Sequence, residues 1–195
     1  MGKIKVTECG GIKGLKVVEP TVFGDARGYF METYNQNDFK EVGIDCTFVQ
    51  DNQSFSKKGV IRGLHFQNGE YSQAKLVRVV RGSVYDVAVD LRKGSPTYGK
   101  HTAVLLKPYD ANDKESGRQL YVPRGFAHGF ISLEDNTIFQ YLIDNDYAPD
   151  YEGGIYWNDP ELGIDWEGMF KKYGIDKPIT SEKDTKHLVL GKSPK

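Results

Sequence analysis

Residues 59–75, GVIRGLHFQNGEYSQAK, bring together side chains that can take up a proton and hold the charge this leaves behind. They read as an extended segment over 60–67, a turn-like run over 68–72 and the start of a second strand at Lys75. Side chains alternate between the two faces of a strand. Ile61, His65 and Gln67 are therefore expected on one face, with Lys75 returning beside them. An imidazole with an unperturbed pKa of ~6.5 acts as a base near neutral pH when a carboxylate holds it. An ammonium can stabilise an anion that forms nearby. A single histidine is more commonly a core residue satisfied by one hydrogen bond. The company of Arg62 and Lys75 is what argues for a site. Strict alternation puts Arg62 on the face opposite His65, unless Gly63 between them marks a bulge or bend.

The elements around this stretch are short and β-rich. Two strands and a turn are expected over 3–19, a break over 20–24, a turn at Asp25–Gly28 and a strand over 29–34. A short helix is expected over 37–43, capped by Asn37 and closed by Gly43. A strand over 46–53 places Gln50 and Asn52 on one face, and a polar turn follows over 54–59. Residues 83–91 make the clearest strand, with Tyr85, Val87, Val89 and Leu91 on one face and Asp86 and Asp90 on the other. Further strands are expected over 101–106, 119–123, 126–133 and 137–143. A hydrophilic loop is expected over 107–118 and a short helix over 167–173. Many short strands punctuated by turns, with no βαβ rhythm and no repeat, indicate an all-β sandwich or barrel.

Composition narrows the partners. The chain has 195 residues, a length one all-β domain can fill, so residues 1–195 are read as a single domain. Net charge is −1 with no basic run, which argues against nucleic acid or an anionic membrane as partner. No apolar run reaches ~18 residues, and the first residues lack an apolar signal core. A soluble cytoplasmic protein is the expectation. Cys9 and Cys46 form no CxxC pair and no disulfide framework.

A second stretch, Pro123-Arg-Gly125-Phe-Ala-His128, resembles the second signature of the cupin superfamily, a β jelly roll. The first cupin signature carries an HxH pair, and its counterpart here is His65-Phe66-Gln67. Metal-binding cupins use both of those histidines, a nearby Glu and the second-signature histidine. Here an amide replaces one imidazole and Glu70 is loosely placed, whereas a divalent transition metal wants about three or four strong ligands. No metal and no other cofactor is expected.

The resemblance then sharpens. Asp25-x-Arg27-Gly28 with Glu32, Gln50-Asp-Asn52-x-Ser54, Arg62-Gly-Leu-His65-Phe-Gln67 and Ala74-Lys75-Leu-Val-Arg78 occur in order along the chain. They are followed by Asp86-Val-Ala-Val-Asp90-Leu-Arg92, Gly125-Phe-Ala-His128-Gly-Phe130, Trp157-Asn-Asp159 and Ser181-x-Lys183-Asp184. Together they are similar to the dTDP-4-dehydrorhamnose 3,5-epimerase family, over nearly the whole chain. The resemblance implies a cupin-type jelly roll that removes and returns protons at C3 and C5 of a 4-keto-6-deoxyhexose carried on dTDP. It implies His65 as base, Asp184 as its partner, Lys75 as stabiliser of the enolate oxygen and Tyr141 as acid. Arg27 and Arg62 would grip the pyrophosphate. Glu32, Gln50, Asn52 and Lys183 would contact nucleotide and sugar, Phe23 and Tyr147 would stack on thymine or sugar, and His128 would assist at the ketone or pack. It further implies a homodimer that exchanges β-strands; either Gly63 bends the strand to bring Arg62 to the His65 face or one of the two arginines acts across the subunit boundary. Read without the family, Ser181-x-x-Asp184 is a helix-capping pattern, Lys75 an exposed strand lysine and Tyr141 a core tyrosine.

Overall fold

The computed structural model describes residues 4–192. Two hairpins lead: β1 (Lys5–Glu8) with β2 (Lys16–Glu19), then β3 (Val22–Asp25) with β4 (Gly28–Met31). Helix α1 (Gln36–Glu41) follows, then β5 (Gln50–Ser56), β6 (Ile61–Gln67), β7 (Lys75–Arg81) and β8 (Val84–Asp90). Next come β9 (His101–Leu106), β10 (Gln119–Val122), β11 (Phe126–Ser132), β12 (Thr137–Ile143) and β13 (Glu152–Gly154). Helices α2 (Trp166–Tyr173) and α3 (Glu182–Thr185) lie in the C-terminal segment.

The strands form two facing sheets, in the orders β1-β2-β10-β7-β12-β5 and β13-β6-β11-β8-β9, with β3-β4 as a separate ribbon. This is the jelly-roll sandwich expected from the short alternating strands. Its core lies between the sheets, where Val77, Val79, Leu120, Val122 and Phe139 of one meet Val84, Ala88, Leu106, Phe126 and Phe130 of the other. Each fully buried side chain of this size contributes ~1.5–3 kcal/mol. The outer faces are also covered. Phe39 of α1 packs with Val18 and Leu76 on the larger sheet. On the smaller sheet, Val87, Val89 and Ile131 are roofed by Trp157, Leu162, Trp166 and Ile175. Residues 101–106 and 137–143 form the expected strands at the expected bounds.

Several local expectations are corrected. The α1 cap is Asn35, whose side chain accepts from Asn37 N and Asp38 N, so the helix starts one residue before Asn37. Residues 20–24 are not simply a break, because Val22 and Phe23 pair with Met31 and Phe30. The strand expected over 29–34 correspondingly stops at Met31. The strand expected over 46–53 starts later and runs to Ser56, because β12 pairs with it from Gln50 through Ser56. A neighbour's ladder overrode the polar composition that suggested a turn. Ile61 does not share the His65 face; it pairs with Ile131 and packs in the outer cluster.

That last correction has a single cause. His128 pairs with His65, but Phe130 pairs with Arg62, so β6 carries one more residue than β11 across this span. The extra residue is a bulge at Gly63, whose φ is +122°. A Cβ on Gly63 would lie 2.6 Å from Gly129 Cα, and one on Gly129 would lie 2.5 Å from the Arg62 carbonyl oxygen. Glycine on both strands permits the close approach. The bulge shifts the alternation by one, so Arg62 and His65 face the same way.

Candidate active site

The bulged segment opens onto a cavity of about 500 Å³ between the sheets. Arg62, His65 and His128 line it from the smaller sheet, Ser54, Lys75 and Tyr141 from the larger one, and Ser181, Lys183 and Asp184 from the C-terminal segment. His65, Lys75 and Tyr141 also border an adjoining lobe of about 290 Å³, with Gln50, Asn52, Tyr147 and Glu152. Gln50 and Asn52 do share a face, as the alternation of β5 requires.

His65 Nε2 lies 2.5 Å from Asp184 Oδ1. An ionised carboxylate only accepts, so Nε2–H donates and Nδ1 carries the lone pair. Asp184 is buried. Burial alone raises its pKa, but the hydrogen bond and charge of His65, with the hydrogen bond of Ser181, outweigh this and hold it below the ordinary carboxyl value. Asp184 N also donates to Ser181 Oγ at 3.1 Å, capping α3. Cap and carboxylate partner are thus one structure: the backbone of Asp184 serves the helix and its side chain serves His65. The segment is tied to the smaller sheet where Ile61 N donates to Ile179 O and Ile179 N to Gly59 O, both at 2.8 Å.

His128 lies deeper. Its Nε2 is 2.8 Å from Asp86 Oδ1, and both residues are buried. Lys75, read without the family as an exposed strand lysine, is partly buried in the wall. Burial lowers its pKa to about 8, with the charges of Asp86 and Glu152 pulling the other way. Burial likewise raises the Tyr141 phenol above its ordinary value, opposed by the charge of Arg62. Arg62 is held by bonds from Nε to Ser56 Oγ and from Nη2 to the Phe55 carbonyl, each 3.1 Å.

Gln67 borders the adjoining lobe with His65 and Lys75, as its position on β6 led one to expect, but its amide is committed to the backbone. Its amide nitrogen donates to the carbonyls of Tyr71 and Asp146, and its oxygen accepts from Ala148 N. The amide is a strut for neighbouring loops. With Gln67 so committed, Glu70 exposed and His128 on Asp86, the positions that hold metal in metal-binding cupins do not form a ligand cage here.

Three expected residues are not brought to this cavity within one chain. Arg27 sits on the β3–β4 turn, 2.5 Å from Asp25, with its side chain 90% exposed. Phe23 lies on the same ribbon and is exposed. Glu32 accepts from Asn35 Nδ2 at 3.3 Å, away from the lining residues. The ribbon stands apart from the two sheets, which is why its residues do not converge on His65.

A sequence model described as dTDP-4-dehydrorhamnose 3,5-epimerase matches residues 10–192. The dTDP-4-dehydrorhamnose 3,5-epimerase of Methanothermobacter thermautotrophicus is 48% identical over 183 residues, covering 94% of this chain and 93% of its own. The chain belongs to the dTDP-4-dehydrorhamnose 3,5-epimerase family. A crystal structure of the Bacillus anthracis epimerase with TDP and pyrophosphate bound superposes with a TM-score of 0.85 at 43% identity, covering 96% of this chain and 99% of that one. The Legionella pneumophila enzyme in complex with dTDP-4-keto-L-rhamnose gives a TM-score of 0.83 at 41% identity, covering 96% and 93%.

Three polar residues in and behind the epimerase cavity carry no assigned role in the sequence motifs: Ser54 and Glu152 line it, and Asp86 lies behind His128. Ser54 Oγ is buried, borders the cavity and has no hydrogen-bond partner among the described residues. Its place two residues after Asn52 on one strand was the available signal. Asp86 was legible as a carboxylate on the face of β8 opposite Tyr85 and Val87, and as the first residue of the Asp86–Arg92 motif. Glu152 accepts from Tyr147 Oη at 2.7 Å and pairs with Lys183 at 2.6 Å. Nothing in its local sequence singles it out, because its partners are set by tertiary contacts. No helix of the described residues is long and apolar enough to cross a membrane.

Proposed function

We propose that this chain epimerises dTDP-4-dehydro-6-deoxy-D-glucose at C3 and C5, giving dTDP-4-dehydro-L-rhamnose, with the cavity around His65 as the site. The observation that carries the reading is the hydrogen-bonded His65–Asp184 pair in one cavity with Lys75 and Tyr141, which stand on the other sheet. His65 Nδ1 takes the proton from C3, and the electrons of that C–H bond move into the C3–C4 bond as the ketone becomes an enolate. The Lys75 ammonium stabilises the charge on O4, and Asp184 stabilises the imidazolium. Tyr141 returns a proton to C3 from the opposite side, the ketone re-forms, and solvent restores both side chains. The same sequence at C5 completes the double inversion. A positioned base typically supplies ~10²–10⁴ in rate.

Arg62 meets the pyrophosphate, while Gln50, Asn52, Tyr147 and Lys183 contact nucleotide and sugar along the adjoining lobe. Arg27, Glu32 and Phe23 act from a second copy of the chain in a homodimer. This assignment is supported by the ribbon that carries Arg27 away from its own cavity while exposing Phe23, Tyr29 and Phe30. The proposed compartment is the cytoplasm, where a nucleotide-activated sugar is a soluble intermediate.

The test is NMR of dTDP-4-keto-6-deoxyglucose incubated with the protein in D₂O. Deuterium at both C3 and C5, abolished by His65→Ala, is expected. Deuterium at one carbon only would assign a single-site epimerase. None at either carbon, with folded protein, would leave a non-catalytic sugar-nucleotide-binding cupin.

A further inference from the structure

A second histidine stands beside the proposed base. The rings of His65 and His187 meet edge to face, with centroids 5.6 Å apart and planes at 72°. His187 Nε2 lies 3.7 Å from Asp184 Oδ1, the oxygen that His65 already holds at 2.5 Å. Yet His187 Nε2 is buried and has no hydrogen-bond partner among the described residues. A buried polar atom left unpaired calls for a reason, and packing alone would be met by an apolar ring.

The placement is built rather than incidental. Residue 188 forms a parallel bridge with Ile155, Tyr156 N donates to Leu188 O at 3.0 Å, and Leu190 N donates to Asp159 Oδ2 at 2.6 Å. These bonds fix the backbone that carries His187. Gly154 supplies the space: a Cβ there would lie 2.4 Å from His187 Cε1 and Nε2. Gly154 is also the register partner of His65 on β13. A glycine beside the proposed base is thus filled by a second imidazole.

We propose that His187 is a positioning residue: its ring wedges the His65 imidazole and its Nε2–H closes on Asp184 Oδ1 while His65 is neutral, yielding as His65 takes up a proton. The inference rests on the epimerase reading for its consequence in turnover, but its geometry does not depend on substrate. A closure of less than ~1 Å turns the 3.7 Å approach into a hydrogen bond. A neutral ring suits this role, since a second positive charge would oppose the imidazolium on His65. The groups that face His187 are His65, Asp184, Lys183 and Glu152. Burial first, then the charge of His65, lowers the His187 pKa, so it enters as the neutral donor. A donor on Asp184 weakens that carboxylate's hold on the His65 proton. Removing the donor therefore raises the pH at which His65 titrates.

The experiment compares wild type, His187→Ala and His187→Gln by ¹⁵N NMR titration of His65, assigned with His65→Ala, together with turnover. In His187→Ala the His65 midpoint is expected to rise by roughly half a pH unit. kcat should fall about tenfold while KM stays within about twofold. His187→Gln restores an N–H at a similar reach and should recover most of both changes. A His65 midpoint unmoved in His187→Ala overturns the proposal. An equal shift in both also overturns it, because it assigns the effect to lost packing. If His187→Ala does not fold, the glutamine variant is the test: a midpoint matching wild type supports the role and a raised one overturns it. The titration uses no substrate, so absence of deuterium exchange in wild type would count against the epimerase reading alone.

Discussion

His65–Asp184 and His128–Asp86 are the same chemical pair in two settings. The histidines are register neighbours across β6 and β11. One pair has a histidine 31% exposed at the cavity wall, its carboxylate delivered by the C-terminal segment. The other is enclosed, at 7% and 0%, with its carboxylate on the adjacent strand β8. A carboxylate fixed within one sheet needs no other support and suits a framework. A carboxylate brought from a separate segment leaves one side of its histidine facing the cavity. Chemical identity of the pair therefore does not decide its use; access of the second ring nitrogen does.

The largest expected break in this comparison is Asp184→Asn. It should lower kcat by roughly 10³-fold, because the amide no longer fixes the His65 tautomer or stabilises its imidazolium. The loss of thermal stability should be smaller than that caused by Asp86→Asn; steady-state kinetics with thermal melts checks both. Next, Tyr141→Phe should reduce epimerisation by about 10²-fold, while solvent deuterium still enters C3 through His65 from the same face. Inversion and exchange followed together by NMR would separate base from acid.

Asp86→Asn sharpens the other side. Leaving a buried histidine with a mismatched partner should cost about 3 kcal/mol in denaturant melts, with a kcat loss well below that of Asp184→Asn. It should also move the alkaline limb of activity to lower pH. On the proposed mechanism Lys75 must be protonated to stabilise the enolate, so activity is expected to fall as pH rises past its pKa of about 8, and Asp86 is a charge that holds this value up. The folded pKa lies below the unfolded 10.5. Between these values the unfolded chain binds more protons, so the contribution of Lys75 to stability rises with pH across that window. The smallest effect is expected from Ser181→Ala, which removes the α3 cap and should cost about 1 kcal/mol or less locally. A several-fold drop in kcat through a loosened Asp184, without change in KM, would tie the cap to the pair.

Much of this was legible in the residues. Alternation located β8 and β12 and placed Gln50 with Asn52. The motif resemblance brought together His65, Lys75, Tyr141 and Asp184, which the cavity gathers. What alternation missed was the register. One extra residue at Gly63, a bulge that the glycine had offered as one alternative, reversed the faces of Ile61 and Arg62, and the pairing with β11 decides for it. Gln67 stands in what is a ligand slot in other cupins, but two of its three backbone bonds reach a loop 79 and 81 positions away, which no local pattern encodes. His187 carried no motif at all. Its neighbour is set by a bridge from residue 188 to Ile155, a contact that no local pattern encodes.

The separation of His65 and Asp184 by 119 positions has a consequence for synthesis. Every strand of both sheets has left the ribosome before Asp184 emerges, and proteins fold largely from the N-terminus as they are made. The sandwich can close around a histidine that still lacks its counterion. On the proposed mechanism, chemistry begins only when the last elements dock, so a nascent chain can assemble its scaffold while remaining inert towards the keto-sugar pool around it.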